Sequence, residues 1–365
     1  MRIKEVTQYL NEIAPLSYQE SYDNAGLLVG DVNRDVTGIL IALDTIEAVL
    51  DEAIEKGCNL IVAHHPIVFG GLKKFTGRNY VERVIIKAIK NDLAIYVAHT
   101  NLDNVLKNGV NGKIAQKLGL TNTNILAPKR VLLKKLHTFV PHQHKEAVAN
   151  ALFKAGAGTL GNYTECSFQL EGTGTFKGEA GAKPTVGTVG KQHQEEETRL
   201  EVLVPIYKQG AILRALQQAH PYEEVAYDLI ALDNVHPQVG AGVVGELEEA
   251  MEPMEFLKFL KQQMQTDCVR YTAICCPQIK RVAVCGGAGS FLLPQAKGAG
   301  ADVFITADYK YHQFFDADQA LIIADIGHYE SEQFTIELFY ELLTQKFTNF
   351  AIHCTKVTTN PINYL

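Results

Sequence analysis

Short apolar runs alternate with helical patterns through the first 128 residues, and the same alternation returns after residue 280. Segments 38–43, 60–63 and 93–98 read as strands; 45–56, 80–91 and 109–118 read as helices, the first and last closed by Gly57 and Gly119. Segments 281–285, 303–306 and 321–325 read as further buried strands, followed by a helix at 332–345 and a last strand at 350–357. Such alternation restricts the chain to an α/β fold with parallel-rich sheets. Three of the runs end in metal-type ligands. Residues 61–63 meet His64-His65-Pro66, 95–97 lead to His99 and Asp103, and 322–324 lead to His328 and Glu332. Strand C-termini of a parallel sheet open on one edge, so these groups are expected to converge in one crevice and bind metal there.

The chain has 365 residues, of which 47% are hydrophobic and 21% charged, enough for a sizeable core and two or three compact units. A formal net charge of −7, with no clustered Lys and Arg, argues against a nucleic-acid protein held by phosphate contacts. The first ten residues are charged and amphipathic, and no stretch reaches the roughly 18 to 20 apolar residues of a membrane span. A cytoplasmic protein without a membrane partner is expected. The seven cysteines form no C-x-x-C pair and agree with a reducing compartment; the adjacent Cys275 and Cys276 read as buried thiols.

Between the two α/β halves, the chain repeats itself. Val140-Pro141 matches Val204-Pro205, Ala147 matches Ala211, Ala151-Leu152 matches Ala215-Leu216, and Ala155 matches Ala219, all at one offset. Each copy reads as strand, helix, strand, and the pair makes the β-α-β-β-α-β order of a ferredoxin-like domain. The expected organisation is an insert at 129–240 between two halves, 1–128 and 241–365, of a metal-binding α/β domain. Residues 171–197, rich in Gly, Glu and Gln, read as a mobile loop within the insert.

Neighbouring side chains at a strand end point apart, so His64 and His65 suit two ions better than one. His328 and Glu332, four residues apart at a helix entry, reach one site, with Glu330 as a rival carboxylate. Imidazole and carboxylate without thiolate suit catalytic Zn, Mn, Fe or Ni, zinc leading, rather than a closed structural zinc. Five protein ligands exceed what one open ion needs, whereas two ions about 3.5 to 4 Å apart use them all. His99 reads either as a residue that orients a ligand or as a capped core histidine. Asp308, Lys310 and His312 are candidates for substrate contact, and no catalytic residue can be named. Asp44-Thr45 with Glu47 reads as helix capping, Gly286 to Ser290 as a turn whose N–H groups could meet an anion, and His142 and His144 as solvated surface.

Five segments together resemble the Nif-three-like family, the homologues of GTP cyclohydrolase 1 type 2. They are Tyr22-Asp23-Asn24-Ala25-Gly26-Leu27-Leu28-Val29-Gly30, Ala63-His64-His65-Pro66, Thr100-Asn101-Leu102-Asp103, Cys285-Gly286-Gly287-Ala288-Gly289-Ser290 and Gly327-His328-Tyr329-Glu330-Ser331-Glu332. The resemblance covers nearly the whole chain, departing at Ala307 where the family pattern implies Gly. It implies two divalent ions per subunit held by His64, His65, Asp103, His328 and Glu332, with Asp103 or Glu332 bridging. It also implies a toroidal homohexamer and an insert similar to the PII and CutA proteins. Two functions follow as expectations: a metal-dependent hydrolase acting on a nucleotide or phosphoester, or a non-enzymatic ring that senses a metal or small-molecule effector. Neither a P-loop nor a G-x-G-x-x-G nucleotide fingerprint is present.

Overall fold

The computed structural model describes residues 1–365. Helix α1 (Ile3–Ile13) buries Ile3, Val6 and Leu10 on one stripe. Strands β1 (Gly26–Val29) and β2 (Ile39–Ala42) lead to helix α2 (Glu47–Glu55), strand β3 (Leu60–Ala63) and helix α3 (Tyr80–Lys90), which Asn79 caps by accepting from the Glu82 N–H. Strand β4 (Ala94–Val97), the short helix α4 (Thr100–Asp103), helix α5 (Val110–Lys117) and strand β5 (Thr121–Pro128) complete this half. Every residue of β2, β3 and β4 is buried, as in parallel strands covered on both faces. Leu40, Ile61 and Ile95 pack against Val49, Leu50 and Ala53 of α2 and Val84, Ile85 and Ala88 of α3.

Contacts divide the chain into two units, Met1–Pro128 with Gln238–Leu365, and Lys129–Pro237. The second unit runs β6 (Leu133–Pro141), α6 (Lys145–Lys154), β7 (Ser167–Lys177), β8 (Gln192–Pro205), α7 (Gln209–Ala219) and β9 (Tyr227–Ala231), with sheet order β7-β8-β6-β9 and every pair antiparallel. Its core joins Leu136, Val140, Leu200, Val202 and Val204 to Val148 and Leu152 of α6 and Ile212 and Leu216 of α7. The loop expected at 171–197 is largely absent. Strands β7 and β8 stay paired from Ser167 opposite Val202 to Lys177 opposite Gln192, leaving only 178–191 as the connection. Strand β7 is an edge strand, exposed or half-exposed along its whole length. It is held by ladder hydrogen bonds rather than burial, so no apolar period marks it.

The first unit resumes with β10 (Gly240–Met251), α8 (Pro253–Gln263), β11 (Arg270–Tyr271), β12 (Ile279–Ala288), α9 (Leu293–Gly298), β13 (Val303–Ala307), β14 (Ile322–Asp325), α10 (His328–Glu332), α11 (Thr335–Lys346) and β15 (Ile352–Cys354). Its strands form two sheets, β1-β4-β3-β2-β15 and β11-β14-β13-β12-β10-β5. In the first, β15, β2, β3 and β4 are parallel with β1 antiparallel at the edge. In the second, β12, β13 and β14 are parallel, and β11, β10 and β5 are antiparallel. The fold is mixed α/β. The strands before the three ligand groups do not share one sheet, because β14 lies in the second. Convergence comes instead from the C-terminal ends of β2, β3 and β4 meeting those of β12, β13 and β14.

No helix is long and apolar enough to cross a membrane. All seven cysteines are free, but Cys275 and Cys276 are half-buried rather than buried.

Candidate metal centre

His64 and His65 leave the end of β3 with ring centroids 4.9 Å apart and planes tilted by 47°, so the rings diverge. His64 is buried; its Nδ1–H donates to the Ala98 carbonyl at 2.8 Å, and its Nε2 lies 3.5 Å from Asp103 Oδ1 and 3.8 Å from Glu332 Oε1. His65 donates through Nδ1 to Asp44 Oδ1 at 2.7 Å and places Nε2 2.8 Å from Glu332 Oε2. His328 donates through Nδ1 to Asp308 Oδ2 at 2.7 Å, with Nε2 3.1 Å from Glu332 Oε2 and 3.3 Å from His65 Nε2. His99, beyond β4, donates through Nδ1 to Asp23 Oδ1 at 2.8 Å. In all four rings Nδ1 is occupied and Nε2 remains, the arrangement that fixes the tautomer of a metal-ligating imidazole.

Glu332 sits where these rings meet because Gly286 and Gly287 of β12 have no side chain. A Cβ at Gly287 would stand 2.5 Å from Glu332 Oε1 and 3.2 Å from His328 Cε1, and the residue adopts φ of +63°. Ligand-type atoms gather within 4.8 Å of one another in three groups: His64, Asp103 and Glu332; His65, His328 and Glu332; and His64, His65 and His99.

The electrostatics fit a site short of positive charge. Burial opposes a charge on His65, but hydrogen bonds to Asp44 and Glu332 and their charges outweigh it, raising the imidazole to about 9. His328 rises to about 11 against the same desolvation, through Asp308 and Glu332. Burial, then the Glu332 charge, pushes Asp103 up to about 8. Glu332 is buried as well, yet His328, His64 and His65 hold it well below the usual carboxylate range. His64 Nε2 and Asp103 Oδ1 are both buried without a hydrogen-bond partner, and each such orphan costs about 1 to 3 kcal/mol. A divalent cation between them would satisfy both. With imidazole and carboxylate donors only, the residues fit a metal of the zinc, manganese, iron or nickel type.

The other residues named from sequence separate clearly. Asp308 and His99 belong to the cluster. Lys310 and His312 do not: both are exposed at the 3-10 turn Tyr311–Ala317, His312 against the Tyr311 ring, and neither lines the cavity. Glu330 turns away, its Oε1 accepting from Asn360 Nδ2 at 2.9 Å. Asp44 is not a cap, since α2 begins after Ile46 with no side-chain cap. The three glycine N–H groups of the 286–290 turn are not free for an anion: Gly286 donates to Asn111 Oδ1, Gly287 to Ser331 Oγ and Gly289 to Thr306 Oγ1. His142 pairs with Glu171 at 2.8 Å and with Thr198, rather than facing solvent alone.

Sequence reasoning missed Asp23 and Asp44 as imidazole anchors, and Thr359, whose hydroxyl donates to Asp44 Oδ2. The signal for Asp44 was position, because it falls just past β2, on the same sheet edge as His64. A cavity of about 760 Å³ opens over the cluster, lined among others by Glu20, Tyr22, His65, Phe69, His99, Asp103, Phe291, His328, Glu332 and 359–362. A second, of about 620 Å³, lies in the insert beside Phe139, Phe176, Glu197 and Tyr222.

The family described as Duf34/NIF3 (NGG1p interacting factor 3) matches residues 1–361. A Bacillus subtilis protein named GTP cyclohydrolase 1 type 2 homolog is 38% identical over 372 residues, covering 99% of this chain and 98% of its own. One of the same name from Halalkalibacterium halodurans is 40% identical over 365 residues, with the same coverage. Among solved structures, a Bacillus cereus protein described as related to NIF3 superposes with a TM-score of 0.86 at 39% identity, covering 100% of this chain and 99% of that one.

Proposed function

The chain belongs to the Duf34/NIF3 family, and on that premise we propose that it is a dinuclear metal-dependent hydrolase. The observation that carries the reading is Glu332, whose two oxygens face different imidazoles: Oε1 faces His64, and Oε2 faces His65 and His328. One divalent ion would take His64, Asp103 and Glu332 Oε1; the other would take His65, His328 and Glu332 Oε2. Zinc suits this donor set. Two such ions would supply Lewis acidity and acidified water next to the cavity. The chain's own residues do the rest. Ala98, Asp44 and Asp308 hold His64, His65 and His328 in the tautomer that presents Nε2, and His99, held by Asp23, keeps one nitrogen to carry a proton. Purine-nucleotide chemistry comes from the relatives' names, with phosphoesters as the wider class.

The remaining expectations belong to the same reading. The insert, with its end drawn back from 240 to Pro237, is proposed as a ferredoxin-like, PII/CutA-type domain, the two flanking segments as halves of one metal-binding domain, and the assembly as a cytoplasmic toroidal homohexamer. The strand-helix-strand-strand-helix-strand order supports the first of these. The insert's separate core and cavity favour a second reading, a non-enzymatic ring in which the insert senses a small effector.

A turnover screen over phosphoesters and cyclic amidines, with zinc-loaded protein and His65→Ala as background, separates the two. Hydrolysis that disappears in His65→Ala is the expected result. No substrate turned over above that background would remove the hydrolase and leave the sensor. Light scattering checks the ring, and a monomer at micromolar concentration would refute it.

A further inference from the structure

The cavity above the cluster has two properties the hydrolase reading does not use: its mouth is aromatic, and no Lys or Arg lines it. Tyr22, Phe69, Tyr80 and Phe291 line it while leaving 68%, 57%, 56% and 61% of their surfaces exposed. Phe69 reaches inward, its ring centroid 5.9 Å from that of His99. Exposed rings around a polar floor form a stacking platform for a flat ligand.

Charge narrows the ligand further. Asp23, Asp44, Asp103, Asp308 and Glu332 place five carboxylates around the four imidazoles, one more negative charge than the four positive charges two divalent ions would bring. Glu20 adds another carboxylate at the wall. A loaded site therefore holds no surplus positive charge for a polyphosphate. Proteins otherwise hold phosphate with an Arg or Lys clamp or with a nest of free backbone N–H groups. The clamp is absent from the lining. In the glycine turn, the N–H groups of Gly286, Gly287 and Gly289 are spent on Asn111, Ser331 and Thr306.

We propose that this site takes a planar heteroaromatic ring without a phosphate chain, such as a nucleobase or nucleoside, stacked on the mouth aromatics with its reacting carbonyl or amidine directed at the cluster, and that it discriminates against the corresponding triphosphate. The proposal names the substrate class for the dinuclear reading and rests on it.

The test is binding, measured on the zinc-loaded full chain by fluorescence quenching of 2-aminopurine riboside and of its 5′-triphosphate, with zinc assayed after each titration. The riboside should bind at least about tenfold more tightly than the triphosphate, and Phe291→Ala and Tyr22→Ala should each weaken riboside binding about tenfold with zinc retained. A triphosphate that binds as well as the riboside, or no riboside binding, or riboside binding unchanged in both variants, would overturn the proposal. Failure of the hydrolase reading registers elsewhere, as missing zinc or as no turnover, in assays independent of the mouth aromatics.

Discussion

Histidines in the two units have similar partners and reach opposite outcomes. In the first unit, His64, His65, His99 and His328 each spend Nδ1 on an acceptor; the remaining nitrogens of His64, His65 and His328 converge on Asp103 and Glu332, and His99 groups with His64 and His65. In the insert, His220 donates through Nε2 to the Phe139 carbonyl and accepts the Tyr222 N–H at Nδ1. His193 pairs with Glu195, and His137 lies between Arg199 and Glu201. These rings lie on β6, on β8 and at the end of α7, and they gather into no common group. The lesson is that a carboxylate beside a histidine says little. A site needs a second nitrogen left over, and several such nitrogens aimed at one point.

The strongest way to break this contrast is Glu332→Gln, which removes the one charge shared by both proposed ions. Elemental analysis should show near-complete loss of metal, while His142→Ala and His193→Ala in the insert retain the full complement. Circular dichroism shows whether the variant is still folded. A folded Glu332→Gln protein that keeps its metal would mean that convergence on Glu332 is not what binds it.

A smaller effect is expected from Asp44→Asn, which leaves every proposed ligand in place and weakens only the anchor of His65. Changes of this kind typically cost about 10- to 100-fold in metal affinity. Competition with a chelator of known affinity measures it. No change would show that the His65 tautomer is set elsewhere.

Proton linkage should then take opposite signs in the two units. In metal-free protein His65 and His328 are raised to about 9 and about 11, above the ordinary value of about 6.5. Their stabilising contribution is complete below that ordinary value and is lost as pH rises through the two raised values. Metal uptake at neutral pH should therefore release protons and strengthen with rising pH. His220 is lowered, chiefly by burial. Its contribution is present above the ordinary value and is lost as pH falls below it. Hydrogen exchange, read separately over 60–66 of the metal-free first unit and 212–220 of the insert, should show protection falling on opposite sides of neutrality. Parallel pH profiles would contradict the assignment of charged and neutral imidazoles.

The six residues from His64 to Glu332 that follow β3, β4 and β14 were legible because each ends a run too apolar to be anything but a buried strand. Asp23 and Asp44 were not, since an Asp after a strand or in a turn looks the same whether it caps a helix or holds an imidazole. Sheet membership was also hidden. Ile322 to Asp325 is as buried as Leu60 to Ala63, and burial on both faces does not say which neighbours a strand has. The continuing apolar pattern after Glu332 concealed the break between α10 and α11, and an exposed edge strand such as β7 has no pattern to read.

The smallest expected effect is the sharpest test of separability: deleting the insert should leave metal content unchanged. The structure sets where the cut can fall. Gln238 accepts the Leu106 N–H at 3.1 Å, Val239 pairs with Val105, and Gly240 donates to the Asn104 carbonyl at 2.8 Å. These contacts brace the segment just after Asp103, so the excision must stop short of 238. At the insert's own ends, the His236 N–H donates to the Lys129 carbonyl at 2.9 Å, so a short Gly/Ser linker can replace 130–236 without stretching the chain. Every proposed ligand and every imidazole anchor lies outside the excised segment. The shortened protein should bind the full complement of metal, whereas a cut carried through Val239 should lower affinity by loosening Asp103. If the 130–236 deletion folds and binds no metal, the site depends on the insert and the two regions are not the independent cases compared above.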